Sequence, residues 1–255
     1  NTWTHIAITY NNAADTNDPI MYINGVAEPA VGATGGITEV IEPDGTRNPD
    51  ADYDLIIGNV STTGGKTTDG MIADVKLFSD ILSATEVLEL AQKINYDISA
   101  GSIGNLVAWW KLDEGTGTSI ADSSVNSNTG TLSGPDWKFD AFSVNVHDNT
   151  TTTTGTTTVT QGKLEGLSLS SVDFDGGADY IKFPAAADPT AYTISAWVQP
   201  DNADSGTIVV RGDSATTFGN HAHHLYINGS GQFVHYTYDG ATKTITGSTV
   251  VSADK

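Results

Sequence analysis

Three aspartates at alternate positions, Asp50, Asp52 and Asp54, have the spacing with which loop carboxylates can hold a hard cation. A calcium loop of the EF-hand type also needs a central glycine and a bidentate glutamate at its last position. Leu55 stands at the glycine position and Ser61 at the glutamate position. The pattern therefore favours a charged loop that enters a strand over a calcium loop.

Four histidines, His221, His223, His224 and His235, form a second group with metal-binding chemistry. If the strands around the turn at 228–231 pair, His224 lies across from His235, near enough to share a transition metal. A bare pair lacks the third and fourth ligands of a zinc site. We therefore expect polar surface histidines here.

The short motifs of catalysis are missing from the chain. It has no G-x-S-x-G elbow, no H-E-x-x-H motif and no glycine-rich phosphate loop. Five tryptophans could form a sugar-stacking platform, but four of them fall in alternating strand patterns that favour core positions. Adjacent Trp109 and Trp110 must point to opposite faces, so one of them lies at a contact surface or under a loop. The sequence predicts a protein that is not an enzyme.

Composition narrows the class of partner. The 255 residues hold 11 Lys plus Arg against 31 Asp plus Glu, a formal net charge of -20. This charge disfavours nucleic acid and anionic membranes and favours divalent cations. The chain has no cysteine and no run of about 20 apolar residues, so we expect neither disulfides nor membrane insertion.

Short alternating segments separated by turn residues dominate the chain, as is typical of an all-β sandwich or barrel. Predicted strands include 3–10, 20–24, 54–58, 71–78 and 106–112. One helix is predicted, because Ser83 and Glu86 form a capping box ahead of apolar residues at helical spacing. Those residues are Val87, Leu88, Leu90, Ala91 and Ile94.

The two ends of the chain resemble the halves of one interrupted unit. Joined tail to head, residues 247–255 and 1–12 give a turn followed by an alternating strand. We therefore expect the chain to be one period of a longer repeat, or a domain that is cut and rejoined.

Two sets of segments resemble a known family. The first set consists of the segments W-x-H-I-A-x-T-Y, M-Y-I-N-G-V, L-I-I-G-N and D-G-M-I-A-D-V-K-L-F-S. It is similar to the C-terminal half of a laminin-G-like or pentraxin-like domain of the concanavalin A-like jelly roll. The second set consists of the later segments W-W-K-L-D-E-G-T-G, D-F-D-G-G-A-D-Y-I and Y-T-I-S-A-W-V. It resembles the N-terminal half of the same domain. The resemblance implies an all-β jelly-roll sandwich of two antiparallel sheets with one short helix.

The inverted order of the halves implies a particular organisation. Residues 1–97 are the C-terminal half, 98–105 a linker and 106–255 the N-terminal half, with a Thr-rich insertion at about 138–165. In this fold the first and last strands are neighbours, so 106–112 can pair with 71–78 within a circularly permuted chain, with Lys255 beside Asn1. Alternatively, a neighbouring unit completes each half by strand addition.

The resemblance also implies a Ca²⁺ site, because relatives often bind one structural ion with carbonyls of the F-D-G-x-x-D-Y-I loop and an aspartate of the last strand. The matching positions are Gly176, Gly177, Asp179 and Asp74, with Asp122 and Asn126 as supplements. The alternative is that these aspartates are ordinary turn and edge carboxylates. The paired-calcium site of pentraxins and the E-x-D-x-x-E string of related glycoside hydrolases have no counterpart in this chain.

Three N-x-[ST] triplets, at Asn59, Asn149 and Asn228, are candidate glycosylation sites. The Thr tract at 148–161 is either a surface loop or an O-glycosylated stretch. From these features we expect a structural or adhesive repeat unit of an extracellular surface protein or filament, completed across the unit boundary and partnered by identical units. The alternative is a carbohydrate-binding module that recognises glycans with the help of calcium.

Overall fold

The computed structural model describes residues 3–11, 13, 17–29, 38–39, 54–60, 66–92, 103–138, 171–184, 191–202, 204–212, 221–238 and 242–251. Within these ranges it contains one helix, α1 (Ala84–Gln92), and seventeen strands. The strands are β1 (Thr4–Asn11), β2 (Ile20–Ile23), β3 (Val26–Ala27), β4 (Thr38–Glu39), β5 (Leu55–Ile57), β6 (Asp69–Phe78), β7 (Leu106–Trp110), β8 (Ser119–Ile120), β9 (Gly130–Ser133), β10 (Asp136–Lys138), β11 (Ser171–Asp175), β12 (Tyr180–Phe183), β13 (Ala191–Pro200), β14 (Gly206–Gly212), β15 (His221–Ile227), β16 (Gln232–Tyr238) and β17 (Thr242–Val250).

The strands form two antiparallel sheets that pack face to face. The eight-stranded sheet has the order β10-β11-β6-β13-β1-β2-β3, and β7 also pairs with β6. The nine-stranded sheet has the order β4-β17-β16-β15-β14-β5-β12-β9-β8. Alternate residues of both sheets meet in one apolar core, for example Ile8 and Ile194 from the first sheet and Ile57 and Phe233 from the second. The predicted all-β sandwich is confirmed.

Strands from both halves of the chain alternate in the eight-stranded sheet. β1 pairs with β13 from Thr4↔Val198 to Asn11↔Ala191, and β6 lies between β13 and β11. β7 pairs with β6, as predicted for 106–112 and 71–78. The described strands of one chain therefore form both sheets of the sandwich, and strands from early and late in the sequence are paired within it. The expected contact of Lys255 with Asn1 lies outside the described residues.

The predicted capping box begins the helix. The Ser83 N–H donates to Glu86 Oε2 at 2.8 Å, and the Glu86 N–H donates to Ser83 Oγ at 3.3 Å. These reciprocal bonds satisfy backbone N–H groups that have no hydrogen-bond partner within the first turn of a helix. Val87 and Leu90 then pack against Phe78. The helix therefore covers part of the face of the eight-stranded sheet that points away from the core, which we call the outer face.

The predicted pairing of the histidines was wrong by one residue. His224 pairs with Tyr236, and His235 pairs with Leu225. The turn closes with the Asn228 N–H donating to Gln232 O at 2.9 Å, so it is one residue longer than expected. The two histidines therefore point to opposite sides of the sheet. Both are fully buried, so the expectation of surface histidines was wrong for these two, and the side chains of His221 and His223 lie outside the described residues.

Candidate functional site

A β-bulge in β6 creates an unusual position at Asp74. β6 pairs with β11 up to Ile72 and with β7 from Val75, and its register with β13 shifts opposite Ala196. At the break, Asp74 adopts a left-handed backbone with φ of 52°. This conformation is costly for a residue other than glycine, and bulges commonly redirect a side chain. The bulge directs the Asp74 carboxylate towards Lys76 of its own strand.

Asp74, Lys76 and Trp109 form a buried polar group that we call the Asp74 cluster. Lys76 Nζ and Trp109 Nε1 both donate to Asp74 Oδ1, the indole at 2.7 Å. Lys76 Nζ also lies 5.1 Å from the centroid of the Trp109 ring. Asp74 and Lys76 are each only 1% exposed. Burial lowers the pKa of Lys76, and the neighbouring Asp74 carboxylate opposes this shift. The cluster is therefore an ion pair that is almost completely removed from water.

A second polar pair lies beside the cluster on the outer face. His5 Nε2 is 2.8 Å from Ser195 Oγ, and Ser195 pairs with Lys76 across the strands. Burial, with a smaller contribution from Lys76, lowers the pKa of His5 to about 3. Activation of a serine needs a histidine that a third group orients. Within the described part of the chain, His5 Nδ1 has no hydrogen-bond partner. The pair therefore lacks the third member of a catalytic triad.

The structure does not assemble the expected calcium ligands. The Gly177 carbonyl accepts a bond from the Thr67 hydroxyl, and Asp179 Oδ2 accepts the Asp175 N–H at 3.0 Å. Asp175 pairs with Asp69, so this turn lies five residues along β6 from Asp74, or about 16 Å at the rise of a strand. Gly176 belongs to the same turn. Among the described residues, no three His, Asp or Glu side chains are grouped so that they could hold a metal. The ligand set implied by the family therefore does not fit this site.

The two supplementary ligands have a structural role at the edge of β7. Asp122 accepts bonds from the Trp109 N–H at 2.9 Å and from the Asn128 N–H at 2.8 Å. The Asn126 amide donates to Val107 O at 2.8 Å. These side chains satisfy the backbone groups of β7 on the side away from β6. The loop at 121–129 thereby protects an edge that could otherwise pair with another strand.

Sequence reasoning missed an acidic rim at the end of β6. Burial and then repulsion from neighbouring carboxylates raise the pKa of Asp69, which also accepts a bond from the Asn202 amide. The repelling carboxylates are Asp201, Asp173, Asp204 and Asp175. The residues are up to 135 positions apart in sequence, so only the pairing of β6 with β11 and β13 brings them together.

An aromatic strip lies on the outward face of the nine-stranded sheet. Tyr226 is partly exposed, and its ring stacks on His224 with centroids 4.6 Å apart. Tyr236 lies directly across from His224. Burial and the neighbouring Tyr236 raise the pKa of Tyr226.

Nearer the edge of the same sheet, Lys182 Nζ pairs with Asp54 Oδ2 at 2.7 Å, with both side chains partly exposed. Asp54 therefore has a salt-bridge role, and Asp50 and Asp52 lie outside the described residues.

The candidate glycosylation sites have different surroundings. Asn59 is fully buried, and its amide donates to Thr67 Oγ1 at 2.9 Å, so the folded chain has no room for a glycan there. The prediction of a glycan at Asn59 was therefore wrong. Asn228 Oδ1 accepts the Ser230 and Gln232 N–H groups and stabilises the turn. Asn149 and the Thr tract lie outside the described residues.

The comparisons with known proteins agree with this architecture. A laminin-G-type family model, described as the concanavalin A-like lectin/glucanases superfamily, matches residues 1–88 and 175–255. No curated protein and no solved structure matches the chain. In the described ranges, no helix has both the length and the apolar character needed to cross a membrane. Because the two matched segments cover more than half of its residues, the chain belongs to the concanavalin A-like lectin/glucanases superfamily.

Proposed function

We propose that the chain is a non-catalytic adhesive unit of an extracellular surface protein or filament, and that its main partners are identical neighbouring units. Laminin-G-like domains are typically binding domains and are commonly extracellular. The observation that carries the proposal is the position of β1 between β13 and β2. Because both halves contribute central strands to one sheet, each copy is a closed unit that can be used repeatedly without exchanging strands.

Two sets of contacts between the sheets, which we call ties, support a structural role. Glu28, which follows β3, accepts a bond from the Ser248 N–H at 2.7 Å and from Thr249 Oγ1 at 2.6 Å. Lys243 Nζ donates to Asn17 O and contacts Asp18 Oδ1, each at 2.8 Å. Ser248, Thr249 and Lys243 belong to β17 of the nine-stranded sheet, whereas their partners flank strands of the other sheet. The ties hold the edges of the sandwich together at two separate points.

The net charge makes the proposal testable by ionic strength. Copies that each carry a formal charge of -20 repel one another, and salt screens this repulsion over about 10 Å at 0.1 M. We therefore expect self-association to strengthen when NaCl is raised from about 0.02 M to about 0.5 M. Sedimentation velocity over a series of protein concentrations measures the assembly. A chain that stays monomeric at every salt and protein concentration would contradict the proposal.

Glycan binding is the second candidate, favoured by the aromatic strip. The ring of Tyr226 is partly exposed, and such a ring can stack on a sugar while neighbouring polar groups bond the sugar hydroxyls. If the strip binds glycans, Tyr226→Ala should weaken binding on a glycan array by about tenfold or more, while the matched control Tyr226→Phe keeps the ring and most of the affinity. An array on which the wild-type chain binds no glycan, or on which both variants bind like the wild type, excludes the strip as a glycan site.

A further inference from the structure

We propose that the side chain of Lys76 takes the place of the metal ion that the family resemblance implies beside Asp74, so that the fold carries its own cation and does not depend on calcium. The Asp74 carboxylate is almost fully removed from water. A carboxylate in such a place is tolerated only with a counter-charge and hydrogen-bond donors. The calcium ion that the family resemblance implies would supply that charge.

The Asp74 cluster already supplies a counter-charge and two hydrogen-bond donors to the carboxylate. Lys76 Nζ contacts Asp74 Oδ1 directly, and Trp109 Nε1 adds a second donor at 2.7 Å. The indole ring then faces the amino group of Lys76, which further stabilises a positive charge there. The left-handed backbone at Asp74 aims the carboxylate along its own strand and not towards the turn at Gly177.

Two other oxygens of the implied ligand set already accept hydrogen bonds from donors of the chain. The Gly177 carbonyl accepts the Thr67 hydroxyl, and Asp179 Oδ2 accepts a backbone N–H. An ion bound in this turn would have to displace these bonds, and it would still lie about 16 Å from Asp74 at the rise of a strand.

Charge around the cluster also opposes a divalent ion. Lys111 Nζ lies 4.6 Å from the Trp109 ring centroid, so two amino groups flank the indole that bonds Asp74. A divalent cation placed at Asp74 would be repelled by the Lys76 amino group, which contacts the same carboxylate oxygen.

Thermal unfolding of the full chain tests the proposal. Neither EDTA nor CaCl₂ should move the wild-type Tm by more than about 1 °C, whereas Lys76→Met should lower it by about 10 °C because it leaves the Asp74 charge unpaired. Lys182→Met is the matched control, because Lys182 forms an exposed ion pair with Asp54 and its loss should change the Tm by less than about 2 °C.

Chemical rescue provides an independent measurement. In Lys76→Ala, n-propylammonium chloride should raise the Tm by several degrees more than NaCl of the same ionic strength, because the small cation can enter the space beside Asp74. If Lys76→Met does not fold, Lys76→Arg retains the charge and should stay close to the wild-type Tm. A wild-type Tm that EDTA lowers and CaCl₂ restores, or a Lys76→Met chain as stable as the wild type, would overturn the proposal.

Discussion

Trp109 and Trp110 are neighbours in β7 and lie on opposite faces of the eight-stranded sheet. The Trp110 ring lies against Phe183 in the core, with centroids 3.9 Å apart, and its Nε1 donates to Asn128 O at 2.8 Å. Trp109 faces outwards and donates to Asp74. One strand thus links the apolar core to the buried ion pair, and each indole can be tested separately.

Substitution of the two tryptophans should separate packing from hydrogen bonding. Trp110→Ala removes a fully buried ring and should lower the free energy of unfolding by about 3–5 kcal/mol. Trp109→Phe keeps a ring but removes a donor to a buried carboxylate, and should cost about 1.5–3 kcal/mol. Urea unfolding measures both values. Trp137→Phe is the control. Because Trp137 is partly exposed, this substitution should lower the free energy of unfolding by less than about 1 kcal/mol. A Trp109→Phe chain no less stable than the Trp137→Phe control would contradict the role assigned to Trp109.

Glu28 should make the tie between the sheets sensitive to acid. Burial raises the pKa of Glu28, but hydrogen bonds from Ser248 and Thr249 outweigh burial and hold the pKa below its ordinary value of 4.5. The folded state therefore favours the ionised carboxylate of Glu28. The tie contributes its full stabilisation of the fold above pH 4.5, and this contribution is lost as the pH falls through the lower pKa that Glu28 has in the folded chain.

Glu28→Gln should remove this pH-dependent part of stability. At pH 7 we expect the substitution to lower the free energy of unfolding by about 1 kcal/mol. This value is at the low end of the range for hydrogen bonds to a charged group, because Glu28 is partly exposed. At a pH well below 4.5 the variant and the wild type should differ little. Glu89→Gln on α1 serves as the matched control. A Glu28→Gln effect that is equal at both pH values would show that the carboxylate charge has no part in the tie.

His5 should destabilise the fold as the pH falls below 6.5. The unfolded chain takes up a proton near the ordinary pKa of 6.5, whereas burial keeps the folded pKa at about 3. The unfolded state therefore binds more protons between these values, and stability falls with decreasing pH by up to about 1.4 kcal/mol per pH unit.

His5→Gln tests this contribution, because an amide can still bond Ser195 but does not titrate. Between pH 6.5 and pH 4 the free energy of unfolding should fall less steeply in the variant than in the wild type. The two slopes should differ by up to about 1.4 kcal/mol per pH unit, which corresponds to one proton. Urea unfolding at several pH values gives both slopes. Parallel curves for the two chains would mean that His5 is protonated in the folded state as readily as in the unfolded state.

Local features of the sequence were predicted well, and the family resemblance predicted the pairing of β6 with β7, but other contacts between distant residues were not predicted. Alternation predicted β1, β6 and β7, and the Ser83–Glu86 capping box predicted the start of α1, because both depend on residues close in the chain. His5 and Ser195 are 190 positions apart, and no local pattern links them. The side chain of Asp74 was misjudged because a bulge redirects it, and a bulge has no reliable sequence pattern. The sequon at Asn59 likewise carried no information about its burial.

The central claim is that one chain closes its own sandwich, and a designed disulfide tests it most directly. The chain has no cysteine, and Asn11 and Ala191 are half-buried partners at the end of the β1–β13 pairing, with a spacing suited to a disulfide. The double variant Asn11→Cys and Ala191→Cys should oxidise to a species of monomer mass on a non-reducing gel, with each single variant as control. Oxidation chiefly to dimers or a ladder of higher masses would contradict the claim, because it would mean that neighbouring copies exchange their halves.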